Sequence, residues 1–552
     1  MIGRLLLAAV AGLGLLAGSA VVPKAPATPS KPKLIVVVSV DQFSADLFNQ
    51  YRGTYSAGLK RLLGGVVFPA GYQSHAATET CPGHSTILTG GHPARTGIIA
   101  NNWMDPAHPR TGKDGKPDYT VYCAEDPSTP GSNSAHYTVS PRLLKMPTLG
   151  DRLKAVDPQS KVVSISGKDR AAVMLGGQNP NLAIWWDGKT FTSFKGRDVS
   201  AMASVKAANE HAQKAIAKPV LPVAPAHCLM DTRLVSLPNG GSVGTFKPRT
   251  PGDPKLLRTA PEFDRYTMDM ALAALDEQKL GAGATTDLLA IGLSGTDYVG
   301  HTYGTEGVEM CTQIATVDIL LGKLFAKLDR LGRPYAIVVT ADHGGHDVVE
   351  RNVENGLPAA QRVEMALFPK AMSKILSGEF GLTEEALIGD APFGDLYLSR
   401  SIPAEKRDAV LSAAIAHYRE SPQVEAVFTK DQIAKAPAPR ASLEDWSMLD
   451  RVRANFDPER SGDFYVVLKS FVTPIPREVS GYVATHGSPW GYDRRVPILY
   501  WWKGIAHYEQ PNGIETVDIL PTLASLIGLF VPQAEIDGRC IDVMAGAPSN
   551  CR

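Results

Sequence analysis

Three apolar runs of β character, residues 34–40, 287–293 and 335–339, each give way to an acidic side chain just beyond the carboxyl end, and this constrains the fold more than any other feature of the chain. Asp41 closes the first run, Asp297 stands shortly after the second, and Asp342-His343 closes the third. Amphipathic stretches alternate with such runs, the pattern of an α/β protein with a largely parallel central sheet flanked by helices. Ligands in open sheets of this kind gather beyond the carboxyl ends of the strands. Separate segments would therefore deliver their polar groups to one rim.

A single Asp after a strand is most often a turn former or a helix N-cap, and a single His most often a surface residue. The set formed by Asp41, Asp297, His301, Asp342, His343 and His486 resists that explanation. One helical turn places Asp297 and His301 on the same face, where they can chelate one ion. Mixed carboxylate and imidazole donors suit zinc better than calcium or magnesium, which prefer oxygen alone. The pattern points to a two-metal hydrolase.

At 552 residues the chain exceeds a single ordinary core, so one large domain with insertions or two domains are expected. Its 56 basic and 56 acidic residues balance, leaving no bulk positive field for nucleic acid or an anionic membrane. Residues 1–20 read as a secretory signal peptide, with Arg4, an apolar stretch from Leu5 to Leu16 and small residues to Ala20. Residues 21–33, rich in Pro, Ala and Lys, read as a flexible lead-in. The expected mature protein is periplasmic or secreted, carries no membrane anchor after cleavage, and is favoured as a monomer. Six cysteines suit that compartment and allow three disulfides. Cys540 with Cys551 would pin the tail, and Cys228 with Cys311 and Cys81 with Cys123 are the preferred remaining pairs.

The remainder, 34–552, reads as one α/β domain. Its clearest helix spans 306–330, with apolar Met310, Ile314, Val317, Ile319, Leu320, Leu324 and Leu328 near helical spacing. Residues 496–502 predict a further strand, and 518–527 its covering helix. Two stretches, about 175–261 and about 348–483, break the rhythm and read as insertions over the rim.

Between the first Asp and the next strand lies the hydroxyl-rich segment His75-Ala-Ala-Thr-Glu-Thr80-Cys-Pro-Gly-His84, which predicts a helix opening near Pro82. A helix N-terminus offers free N–H groups to an anion. Thr80 could bind a metal there, or merely cap the helix. The triplet Lys168-Asp-Arg170 follows the run 161–166 and falls where another rim loop belongs. Arg forks onto two oxygens and Lys adds a point charge, which suits a dianionic terminal phosphate.

Asp41, Thr80-Cys-Pro-Gly-His84, Gly97-Ile-Ile-Ala-Asn101, Lys168-Asp-Arg170, Asp297-Tyr-Val-Gly-His301, Thr340-Ala-Asp-His-Gly344 and Thr485-His486-Gly487 stand in the order found in the alkaline phosphatase superfamily. The chain resembles its PafA-like bacterial branch, which uses a threonine nucleophile. That resemblance implies two zinc ions, one held by Asp297, His301 and His486 and one by Asp41, Asp342 and His343, with Thr80 as nucleophile on the second. It implies that Asn101, Lys168 and Arg170 hold the phosphoryl oxygens. A third metal is doubtful, because Lys168 supplies charge where the magnesium of the serine enzymes would lie. His346 is taken as structural or as a support behind the ligands rather than as a ligand itself.

The implied activity is hydrolysis of small phosphate monoesters through a phosphothreonine. A nucleotide pyrophosphatase or phosphodiesterase is the alternative, sharing the metals and the threonine. A sulfatase is disfavoured because Pro82 follows Cys81 directly, without the Cys-x-Pro-x-Arg arrangement. A non-catalytic binding protein would keep its function without metal.

Overall fold

The computed structural model describes residues 31–218, 221–238, 240–247, 250–476, 482–544 and 548–551. The signal peptide read at 1–20, and the lead-in up to residue 30, lie outside the described residues. A nine-stranded sheet organises the chain: β1 (Leu34–Val40), β2 (Val66–Tyr72), β3 (Val162–Ser166), β4 (Leu182–Trp186), β5 (Phe191–Thr192), β6 (Asp287–Leu293), β7 (Tyr335–Thr340), β8 (Arg495–Trp502) and β9 (Tyr508–Glu509). Their order across the sheet is β9-β2-β8-β7-β1-β6-β3-β4-β5.

β1 sits centrally, parallel to β6 and to β7, and β6 continues parallel into β3 and β3 into β4. All seven residues of β1 are buried, which is why the run is apolar but for Ser39 rather than alternating. Its side chains point alternately to two cores. Val36, Val38 and Val40 join the core on one face, while Ile35 and Val37 join the core on the other. Each fully buried aliphatic side chain contributes about 1.5–3 kcal/mol, so a slip of one residue would cost several contacts on both faces.

Six helices matter for the site: α1 (Thr80–Thr89), α2 (Asp169–Gly176), α3 (Pro261–Glu277), α4 (Gly295–Tyr303), α5 (Val308–Leu331) and α6 (Ile519–Leu526). Met268 of α3 and Leu320 and Leu324 of α5 fill the first core, and Ile87 of α1 and Leu523 of α6 fill the second. The helix expected at 306–330 is α5, ended by Gly332 at φ 64°, a left-handed conformation that favours glycine. Ile319 departs from the expected apolar face and is 53% exposed.

One expectation changes. The stretch read as an insertion from about 175 to 261 contains β4 and β5, which extend the central sheet; β4 is set among Pro and Gly turns that mask it as a strand. The run at 496–502 does form β8, but it lies antiparallel between β7 and β2, a direction that composition cannot encode.

Within 348–483 a separate antiparallel sheet places Gly394–Leu398 beside Phe464–Leu468, and Phe464–Leu468 beside Val424–Thr429. Helices Pro369–Phe380 and Ala404–Glu420 cover it around a core of its own that includes Leu376, Tyr418 and Phe464. A further arm carries the pair Asn102–Met104 and Thr120–Tyr122. Disulfides join Cys81 to Cys123, Cys228 to Cys311 and Cys540 to Cys551, so the first ties that arm to the opening turn of α1.

Candidate active site

Parallel pairing of β1, β6 and β7 brings their carboxyl ends into register. Asp41 follows β1, Asp342 and His343 follow β7, and α4 opens just after β6 carrying Asp297 and His301. His486 comes from the loop before β8. Asp41, Asp297, Asp342 and His343 are at most 1% exposed, and His486 is 8% exposed.

The donor atoms converge. Asp297 Oδ1 lies 3.3 Å from His301 Nε2 and 3.2 Å from His486 Nε2. His343 Nε2 lies 3.4 Å from both Asp41 Oδ1 and Asp342 Oδ2. Each imidazole is fixed from behind. The Nδ1 of His301, His343 and His486 is 2.9, 2.9 and 2.8 Å from the carbonyl oxygens of Ala484, Gly344 and Thr78. Donation from Nδ1 leaves the Nε2 lone pair facing the carboxylates, the tautomer a metal requires.

The donor set fits divalent ions. Both Asp41 oxygens, Asp297 Oδ1, Asp342 Oδ2 and His343 Nε2 are buried without a well-formed hydrogen bond, an arrangement that costs stability unless something else satisfies them. Two donor groups lie close enough to hold an ion: Asp297 with His301 and His486, and Asp41 with His343 and Asp297. The first coincides with the expected set. In the second, Asp297 stands where Asp342 was expected, although Asp342 Oδ2 lies beside the same His343 Nε2 and also faces His84 Nδ1 at 3.0 Å.

Electrostatics point the same way. Burial and the neighbouring Asp342 push the Asp41 carboxyl well above its ordinary range. Burial opposes ionisation of Asp297 too, but His301 and Lys168 outweigh it and hold the group well below. Burial pushes His343 down to about 3 and lowers His301 as well. Three carboxylates thus share a site short of positive charge, which a dication supplies.

Lys168 and Arg170 come from the turn between β3 and α2. Lys168 is 2% exposed; its Nζ lies 2.7 Å from Asp41 Oδ2 and 2.5 Å from Asp297 Oδ2. It also donates to Thr80 Oγ1 at 3.3 Å, and Arg170 donates to the same oxygen at 3.4 Å. Asn101 Oδ1 accepts from the Cys81 N–H at 2.8 Å, beside the same turn.

α1 begins at Thr80, two residues before the expected opening, and its N-cap is Glu79. Thr80 is therefore the first helical residue and its hydroxyl faces Lys168 and Arg170 rather than capping the helix. Pro82 lacks an N–H and the Cys81 N–H is taken by Asn101, so little of the backbone cradle expected at this helix end remains. Side chains supply the cradle instead. α1 reaches the rim because Gly83 permits it: a Cβ there would fall 1.9 Å from the Asp342 carbonyl oxygen.

The fold has close counterparts. The family described as type I phosphodiesterase / nucleotide pyrophosphatase matches residues 35–488. Alkaline phosphatase PhoK of Sphingomonas sp. is 51% identical over 95% of this chain and 93% of its own length. Alkaline phosphatase PhoD of Zymomonas mobilis is 45% identical over 95% and 90%. The crystal structure of wild-type alkaline phosphatase PafA superposes with a TM-score of 0.78 at 28% identity, covering 93% of this chain and 98% of that one. The chain belongs to the alkaline phosphatase superfamily, in its PafA-like branch. It is a phosphoric monoester hydrolase by that kinship.

Several residues of this PafA-like site carried no expected role. His84, on α1, faces both Asp342 Oδ2 and the Thr80 carbonyl oxygen, at 2.9 Å from the latter. Tyr482 stacks on His301 with ring centroids 4.3 Å apart. Tyr298 lies 5.1 Å below the Lys168 ammonium. His84 and Tyr298 sit inside recognisable motifs, so proximity to a ligand was a usable signal; Tyr482 had none. His346 is buried, its Nε2 2.9 Å from Thr473 Oγ1, away from the donor cluster.

Proposed function

We propose that this chain is an exported alkaline phosphatase that holds two zinc ions and cleaves phosphate monoesters through a phosphothreonine at Thr80. The observation that carries the proposal is the placement of Thr80 Oγ1 within reach of both Lys168 and Arg170, beside buried carboxylate and imidazole donors without well-formed hydrogen bonds. Asp297, His301 and His486 would hold one ion, and Asp41, Asp342 and His343 the other. When bound, the pair supplies the positive charge that favours an ionised attacking oxygen and a departing alkoxide.

The chain's own residues do the rest. Thr80 Oγ1 forms the bond to phosphorus as the ester P–O bond breaks, and the departing alcohol gains a proton. Water then cleaves the phosphothreonine, releasing inorganic phosphate and restoring the hydroxyl. Lys168 and Arg170 donate toward the attacking oxygen and would hold the charged phosphoryl oxygens. Asn101, its carbonyl end occupied by Cys81, offers its amide NH2 to a third. Phosphoryl transfer asks for little beyond such positioning and charge stabilisation.

A second reading follows from the matching family description, that of a phosphodiesterase or pyrophosphatase. Two cations beside Thr80 favour the monoester, whose terminal group carries more charge than a diester. Comparing an aryl phosphate with its methyl diester separates the readings, alongside metal analysis. We expect the monoester to be preferred, zinc at two equivalents, loss of activity on chelation and recovery with zinc. Preference for the diester would overturn the choice.

A further inference from the structure

Above Thr80, Arg170 and His486 opens a cavity of about 350 Å3. Its lining is acidic: Glu79, Asp390 and Asp395 contribute to it, while among the described residues Arg170 is the sole Lys or Arg that does. A leaving group attached to a phosphate held at Thr80 projects into this space.

The lining is also aromatic. Phe393, Tyr465 and Tyr482 line it. Tyr465 is 3% exposed and its hydroxyl is buried without a hydrogen-bond partner, although it lies close enough to Asp395 and Glu79 to feel both charges. A hydroxyl left in that state invites a ligand atom. Asp395 accepts from the Gly462 N–H at 2.8 Å, and burial pushes its carboxyl up to about 7, so it is ionised under alkaline conditions. Carboxylates and aromatic side chains lining one cavity favour an alkylammonium group, which binds by charge and by cation–π attraction, and they disfavour anionic leaving groups such as nucleoside diphosphates.

Resting on the monoesterase reading, we propose that this cavity selects phosphate monoesters whose alcohol carries a permanent alkylammonium charge, of the choline type, seated between Asp390, Asp395 and the Tyr465 and Tyr482 rings. Hydrolysis then releases the amino alcohol and inorganic phosphate, with water as the only co-reactant.

The test compares kcat/KM for choline phosphate with that for 3,3-dimethylbutyl phosphate, its uncharged isostere, on the zinc-loaded protein. One effective charge contact predicts a ratio of about tenfold, shrinking with added salt. In Asp390→Asn, Asp395→Asn and the double variant the ratio should fall toward one while turnover of the isostere holds. Asn at 395 keeps an oxygen for Gly462, which guards against simple misfolding. A wild-type ratio near one, or a ratio untouched by the double variant, would overturn the inference alone. Absence of turnover for both esters would overturn the monoesterase reading and this inference with it. Equal loss for both esters in the variants would mark the carboxylates as structural and likewise overturn it.

Discussion

The rings of His343 and His486 lie stacked with centroids 3.6 Å apart and planes 19° from parallel. Two imidazoles so close cannot both carry charge cheaply, and burial already holds His343 neutral. Each is anchored through Nδ1 to a backbone carbonyl, so their Nε2 atoms are presented to the neighbouring carboxylates. One ring follows a sheet strand and the other comes from a loop, so the stack joins both proposed metal positions.

Removing the Thr80 hydroxyl tests the nucleophile. Thr80→Ala should lower kcat by roughly 10³-fold or more, since covalent catalysis is lost while the surrounding charges remain. Acid quench with a radiolabelled substrate should trap phosphoprotein in the parent chain and none in the variant. Label retained by the variant would place the covalent step elsewhere.

Lys168 touches Asp41, Asp297 and Thr80 together. Lys168→Ala should reduce monoester turnover by about 10²-fold, in the range seen on deleting one charge-stabilising donor. Diester turnover should suffer less, because a diester brings less charge to the site. Parallel losses, measured on matched aryl esters, would show general damage instead.

Gly83 makes an opposite prediction to helix propensity. Alanine inside a helix ordinarily gains up to about 1 kcal/mol over glycine. Here the added methyl meets the Asp342 carbonyl, so Gly83→Ala should destabilise by about 1–3 kcal/mol through overpacking. The shift of α1 should also lower kcat more than tenfold on the same packing ground. Thermal unfolding and kinetics together check this, and a stabilised, active variant would contradict the close approach.

His92 and Glu515, 2.8 Å apart, give stability a pH signature away from the metal donors. Burial opposes charging of His92, yet Glu515 outweighs it and raises the imidazole pKa. Burial likewise opposes ionisation of Glu515, and His92 reverses it to lower that carboxyl. The histidine's contribution is fully present below its unfolded value of about 6.5 and lost as pH rises through the raised folded value. The glutamate's is present above about 4.3 and lost as pH falls through the lowered one. The Tm deficit of His92→Gln should thus be largest from about pH 5 to 6.5 and shrink toward alkaline pH. A deficit constant with pH would remove the ion pair from the account.

Much of the site could be read from the chain because its donors follow runs whose burial dictates their composition. Asp41 and Asp342 end strands buried on both faces, so the apolar runs announce where the polar rim begins. Asp297 and His301 share a helical turn, a local relation. β4 escaped notice because it sits among Pro and Gly turns, and the arm near 102–122 because its strands are two or three residues long. Tyr465 and Asp395 are ordinary members of the second sheet until that sheet is folded over the rim.

The sequence by itself determined the α/β class, the identity of the metal-donor candidates and the threonine beside them, since each depends on local pattern or on ordered motifs. Only the tertiary structure decided which oxygen faces which nitrogen, the antiparallel course of β8, the loss of free N–H groups at the α1 opening and the acidic, aromatic character of the leaving-group cavity. The physical reason is range. Burial periodicity acts over a few residues, whereas Thr80 meets Lys168, and Asp41 meets His343, through sheet pairings and helix packing between distant segments.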